Sequence, residues 1–434
     1  MKEDFLHYVW KFQKFDGISF FTSNRENLHI INQGSHNLNS GPDFFNAQIE
    51  IDGQIWAGNV EIHIKSSDWY AHNHQMDPAY NNVILHVVWE HDTEIFRMDG
   101  STIPTFILRE KVSKITLSQY QQLFSKPKKW IYCENDFGTI DSFIMENWLE
   151  RLYFERLERK NAVLQEELSS TQNHWESLLF RMLCKNFGLK VNGESFLSVA
   201  KSIDFSIITK CSHELQTLEA VLLGQAGLLD LDRSDWYSAE LKSSYEFIKH
   251  KYSLCNQNII APKFFRLRPP NFPTIRFAQL ASLYSMQPNL FSKIIVMKTT
   301  DEFYDLFNVD ASEYWDTHYN FGISSLKRKK KITRKFMNLL IINTILPIKF
   351  CYAKQQGKEV VDEIIEIANQ IPAEENTIVK NFNALKQIAT TSYHSQALLE
   401  LKNQYCDKAR CLQCAIGNSI LSARTNPKDN LSRG

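Results

Sequence analysis

The stretch NAQIEIDGQIWAGNVEIHIK, Asn46 to Lys65, leaves the chain little freedom. Two runs of alternating apolar and polar residues flank Asp52-Gly53. Period-two alternation is what a strand with one face toward a core requires, and Asp-Gly between two such runs favours a tight hairpin turn. On the second run Val60, Ile62 and Ile64 point one way, and Glu61, His63 and Lys65 point the other. Asp43 opens the first run, in SGPDFFNAQIEID, so a carboxylate from each strand can converge.

The surroundings extend this hairpin into an α+β domain over residues 1–125. An amphipathic segment, Asp4 to Phe15, is apolar at Phe5, Tyr8, Val9 and Phe12, which is helical spacing. Strands are expected at Gly17–Thr22, Leu28–Asn32, Phe44–Ile51, Ile55–Ile64, Val83–Trp89 and Thr105–Arg109. The order is helix, three strands, a short helix, then a strand. KPKKWIYCENDFGTI, from Lys126 to Ile140, reads as a boundary. From residue 140 to 434 the pattern is mostly helical, with runs at Phe143–Gln165, His174–Phe187, Gln216–Leu228, Thr274–Tyr284 and Asp362–Ala368.

The chain has 434 residues, enough for two or three domains at roughly 150 residues each. Its formal net charge is +0, so any nucleic-acid footprint must be local. MKEDFLHYVW has no apolar core of a secretory signal. The greasiest run, Phe336 to Phe350, falls short of the ~20 residues that span a bilayer and is interrupted by Asn338, Asn343 and Pro347. A buried helix, no membrane and a cytoplasmic location are expected. Neither a P-loop nor a dinucleotide-binding motif is present, so no nucleotide cofactor is implied.

Asp43 and Glu61 supply what a hard divalent cation needs, one or two carboxylates with room for water and phosphate, so Mg²⁺ or Mn²⁺ is expected. Lys65 or His63 would orient or deprotonate the attacking water. Six of the thirteen histidines fall between His36 and His91. His63, His72, His74 and His86, with Asp77, could instead ligate Zn²⁺ or Fe²⁺. Ser66, Ser67 and Asp68 end the strand. The plain alternative is that Glu61, His63 and Lys65 form the wet face of an antiparallel sheet. Against it stands VILHVVW, Val83 to Trp89, nearly apolar throughout, which reads as a strand covered on both faces.

GPDF, a hairpin and then VEIHIK resemble the PD-(D/E)XK nuclease superfamily. The histidines downstream, His72 and His74, are similar to those of its very-short-patch-repair-like branch. The resemblance covers about residues 1–110. It implies a restriction-endonuclease-like αβββαβ mixed sheet and metal-dependent hydrolysis of nucleic-acid phosphodiester bonds. It assigns Asp43 and Glu61 to the metal, with Glu3 or Asp4 as a further ligand. The chain departs from the usual Glu-x-Lys: His63 stands where the lysine belongs, and Lys65 follows two residues later. That departure keeps open a non-catalytic binding or assembly module with the same fold. A zinc or iron hydrolase of a non-nucleic substrate is also open. Over its full length the chain resembles a bacterial family catalogued only as a domain of unknown function, through GPDFFNAQIEIDGQIWAGNVEIHIKSSDW, RLRPPNFPTIRFAQLA and CLQCAIG.

Two further features lie outside the hairpin. YCDKARCLQCAIG places Cys406, Cys411 and Cys414 close together, and Cys133 is the candidate fourth ligand for Zn²⁺ or an iron–sulfur cluster. The other four cysteines are scattered. LKRKKKITRK, Leu326 to Lys335, carries seven positive charges in ten residues, among them Lys327, Arg328, Lys329, Lys330 and Lys331. Arg266, Arg268 and Arg276 flank a proline-rich turn. These cations are expected to meet a nucleic acid, DNA ahead of RNA.

Overall fold

The computed structural model describes residues 2–15, 17, 19–37, 40–125, 130–230 and 235–422. The chain divides into two compact units. The first is Met1–Glu150, Ala384–Lys386 and Glu400–Gly434, and the second is Arg151–Asn383 and Gln387–Leu399.

The first unit is built on a mixed sheet. Helix α1 (Glu3–Lys11) precedes β1 (Phe20–Phe21), β2 (Asn27–Asn32), β3 (Ser35–His36), β4 (Phe44–Ile51) and β5 (Gln54–Lys65). Short helix α2 (Asp68–Ala71), β6 (Val83–Glu90), β7 (Thr105–Ile107) and helix α3 (Lys114–Ser125) follow. Among the described residues the sheet runs β1-β2-β4-β5-β6-β7, with β3 paired to β4. The first part, through β4 and β5, is antiparallel, whereas β5, β6 and β7 are parallel. Asp52 and Gly53 both have positive φ, at 45° and 85°, as the two-residue turn between β4 and β5 demands. Gly58 is needed where β5 passes β6, because a Cβ there would lie 2.5 Å from the Asn82 carbonyl and from Ile84.

The expected strands are found with small shifts at their ends. The exception is Gly17–Thr22, which shrinks to Phe20–Phe21, with residues 16 and 18 outside the described residues. Helix α1 stops at Lys11, since Gln13 turns to φ 46°, and Phe12 is consequently exposed rather than part of the apolar stripe. Val83, Leu85, Val87 and Val88 are buried on both sides of β6, as a covered strand requires.

The division of the chain differs from the expected 1–125 and 140–434. Residues 126–129 of the anticipated boundary lie outside the described residues. Beyond them, Ile131, Cys133, Phe137 and Ile140 are buried and belong to the first unit. The segment from Glu400 also joins the first unit rather than the helical region. Its attachments are non-local: the Tyr8 hydroxyl donates to Asn418 Oδ1 at 3.0 Å, and Ile416 and Leu421 are buried. Helix α4, Ser142–Ser170, contributes residues to both units.

The second unit is largely helical. Its core includes Phe196 stacked on Phe277, with ring centroids 3.8 Å apart. The apolar run around Phe336 lies in Arg334–Gln355, long and apolar enough by composition to cross a membrane, but 78% of its apolar window is buried within the fold. It contains a π-turn at Ile341–Ile345, just before Pro347. Proline has no N–H to offer the carbonyl four residues back. The Asn343 carbonyl instead accepts from Lys160 Nζ at 3.4 Å.

Candidate metal centre

Parallel pairing of β5 with β6 forces the chain to cross back from the end of one strand to the start of the next. That crossover, residues 66–82, carries α2 and the short turns His74–Met76 and Pro78–Tyr80. Trp69 anchors it: the ring is fully buried with Tyr80, Val83, Ile95 and Ile103, and its indole N–H donates to the Phe96 carbonyl at 3.2 Å. His74 then stacks on Tyr80 at 3.8 Å. Held this way, His72 and His74 come down over the polar row of β5.

The result is one cluster. His63, His72 and His74 offer ring nitrogens that all lie within 4.8 Å of one another. His63 Nε2 is 3.1 Å from His72 Nδ1. Glu61 Oε1 lies 3.5 Å from His63 Nε2 and 3.3 Å from His74 Nε2. Four ligands about 2.0–2.1 Å from a tetrahedral metal sit about 3.3 Å apart, so these spacings suit a single ion. Behind His63, its Nδ1 is 2.8 Å from His86 Nε2, and His86 is fully buried.

The other side of Glu61 faces Asp43. Glu61 Oε2 accepts the Asp43 N–H at 3.1 Å, and Asp43 Oδ2 accepts the Ile62 N–H at 3.0 Å. A bulge in β4, with Asn46 at φ 57°, shifts the register between Phe44 and Ala47 next to this pair. His7, from α1, brings Nε2 to 3.2 Å from Asp43 Oδ2, although the angle falls short of a well-formed hydrogen bond. His36 packs edge-on against His7 and stacks on Phe44.

Burial controls the charges. Glu61 is 5% exposed; desolvation, reinforced by the neighbouring Asp43 charge, pushes its pKa up from 4.5 to about 9. Desolvation, with His74 and His72 nearby, takes His63 down to about 3, which keeps the ring neutral and its lone pair available. Burial likewise lowers His74 and His86. At His7 burial acts against protonation, but the contact with Asp43 outweighs it and the pKa rises.

A cleft of about 450 Å³ adjoins the centre, and His7 and His36 line it. Lys2, Lys11, Lys408 and Arg410 also line it, opposed by Asp4. Phe12, Tyr120, Phe124 and Tyr132 supply aromatic walls.

The structure thus gathers Asp43, Glu61, His63, His72 and His74. Glu61 and His63 are buried, so they are not a wet sheet face. Lys65 does not join them. It is exposed at the end of β5. Asp77 caps a turn through Ala79 N–H at 2.9 Å. Glu3 lies near His7, Asp43 and His72, and burial raises its pKa. Spacing along the chain gave no reason to choose His7 or His36, which reach the centre through tertiary packing.

The second unit's cations divide. Arg266, Arg268, Lys327 and Arg328 are exposed. Lys329 pairs with Asp316 at 3.0 Å, and Lys331 approaches Asp310 at 3.8 Å. Arg276 and Lys330 correct the expectation of phosphate contact. Arg276 is buried, bonded to Gln279 and Asn271, with its guanidinium 3.6 Å from the Phe336 ring centroid. Lys330 is buried and donates to the Asp316 and Arg328 carbonyls. Cys133, Cys406, Cys411 and Cys414 line one small pocket of the first unit.

Residues 3–377 match the family described as Protein of unknown function (DUF2851), and the chain belongs to that family. No curated protein and no solved structure matches the chain.

Proposed function

We propose that the chain is a metal-dependent phosphodiesterase acting on nucleic acid, with its reaction centre at Asp43, Glu61, His63, His72 and His74. The observation that carries this reading is the two-sided placement of Glu61. One oxygen faces two histidines and the other accepts from the Asp43 N–H, and His7, 3.2 Å from Asp43, also lines a basic, aromatic cleft. Three imidazoles beside the carboxylates suit Mn²⁺ better than Mg²⁺, and Fe²⁺ or Zn²⁺ better still, since imidazole favours the later divalent metals. Bound there, such an ion would polarise a phosphoryl oxygen and lower the pKa of a water.

The chain's own groups have separable tasks. His63 offers Nε2 as a ligand, so its proton stays on Nδ1 and is donated to His86 Nε2, which fixes the ring. His7 lines the cleft 3.2 Å from Asp43, which favours its protonated form, and a proton there would be placed to reach a leaving oxygen. Lys2, Lys11, Lys408 and Arg410 track phosphates, and the aromatic walls accept bases by stacking, which suits single-stranded segments.

The test is cleavage of a labelled single-stranded oligonucleotide by the full chain with Mn²⁺ or Mg²⁺. Glu61→Ala should abolish it while leaving the fold intact by circular dichroism. Cleavage by Glu61→Ala at the native rate overturns the reading. Binding without cleavage in the native chain would move it to a nuclease-fold binding module. The tight histidine set favours a second reading, a zinc or iron hydrolase of another phosphoester or ester. Stoichiometric zinc or iron lost on His72→Ala, with turnover of small esters but not oligonucleotides, would select it.

A further inference from the structure

The four cysteines lining the small pocket come from distant parts of the chain, Cys133 from one region and Cys406, Cys411 and Cys414 from another. The other walls are aromatic and aliphatic, including Phe137, Leu401, Tyr405 and Ile416. None of the four is joined in a disulfide. Four thiols brought from two distant segments into one apolar pocket are the ligand set of a structural zinc ion or of an iron–sulfur cluster.

The local fold holds two of the thiols close: the Cys414 N–H donates to the Cys411 carbonyl at 3.2 Å, and Gly417 packs on that carbonyl, where a Cβ would lie 2.0 Å from its oxygen. Thiolates gathered in so apolar a pocket need a cationic centre to be tolerated.

We propose that Cys133, Cys406, Cys411 and Cys414 hold a metal centre as thiolates, either one zinc ion or an iron–sulfur cluster. It ties the segment 406–414 to the region around residue 133, and that segment delivers Lys408 and Arg410 to the cleft. This inference is independent of the reaction proposed above.

The experiment is anaerobic purification of the full chain, followed by assays for iron, acid-labile sulfide and zinc and by visible and electron paramagnetic resonance spectra before and after dithionite. Stoichiometric metal is expected: about two to four irons per chain with matching sulfide and a visible band bleached on reduction identify a cluster, and one zinc per chain without sulfide identifies zinc. Cys411→Ser should lose the metal, while Cys351→Ser, at a buried thiol of the second unit, should keep it. Native protein that holds neither metal and takes up neither zinc nor iron with sulfide on anaerobic reconstitution overturns the proposal, a result that does not depend on any variant folding.

Discussion

Glu61 in the first unit and Glu219 in the second are both buried, at 5% and 0% exposure, and burial raises the pKa of both. Their surroundings differ in kind. Glu219 accepts hydrogen bonds from the Tyr237 hydroxyl and the Trp315 indole, and from Ser312 Oγ at 3.0 Å. Its acceptor capacity is filled by neutral donors, and nothing in that arrangement calls for a cation. Glu61 receives one backbone N–H, faces neutral histidines and stands beside the like-charged Asp43. A buried carboxylate with filled acceptors builds a core, whereas one left short of donors and beside another carboxylate marks a candidate functional site.

This contrast can be broken by substitution. The largest effect is expected at Glu61→Ala, which should lower metal-dependent cleavage by about 10³-fold or more while leaving the thermal stability of the metal-free protein equal or higher, because the cost of holding a buried carboxyl protonated at neutral pH is removed. Rate assays and melting curves on the same preparation check both halves. Glu219→Ala should do the reverse. It strands three donors and opens a cavity, so unfolding in urea should show a loss of about 3 kcal/mol. His86→Leu removes the group behind His63 and should weaken metal binding by about 10–100-fold, measured by competition with a chelating dye.

The pH dependence sharpens the comparison further. The folded pKa of Glu61, about 9, lies above its ordinary 4.5. The stability it contributes is therefore present at acid pH and lost as pH rises through about 9. Melting temperatures of chelator-treated protein should fall across that window, and Glu61→Gln should flatten the trend. The smallest effect is expected from Lys408→Gln with Arg410→Gln. Oligonucleotide binding should weaken, and its slope against log salt should drop by about 2. An unchanged slope would take both cations out of the cleft's work.

Much of the centre was legible in the sequence because a strand's periodicity also fixes which side chains are neighbours. Asp52-Gly53 set the hairpin, and alternation put Glu61 and His63 on one face. Alternation gives the face but not the depth along it, so Lys65 was grouped with residues that the fold buries while it stays in solvent. His7 and His36 carry no periodic signal, since a helix and a two-residue strand bring them in from elsewhere. The basic run at 327–331 shows the same limit. Charge density is visible in a sequence, but whether Lys330 turns inward depends on carbonyls that the fold supplies. The attachment of the segment beyond Glu400 had one clue, the lone Cys133.

The discontinuity of the first unit also has a consequence in time. Its sheet and histidines are encoded before residue 150, yet Lys408, Arg410 and three of the four cysteines come after residue 400. At about 5–20 residues per second, the roughly 250 intervening residues take about 12–50 s to synthesise. During that interval the earlier part of the unit exists on the ribosome without one wall of its cleft. The unit begun first is therefore finished last, and any activity that needs that wall is delayed until nearly the whole described chain has emerged.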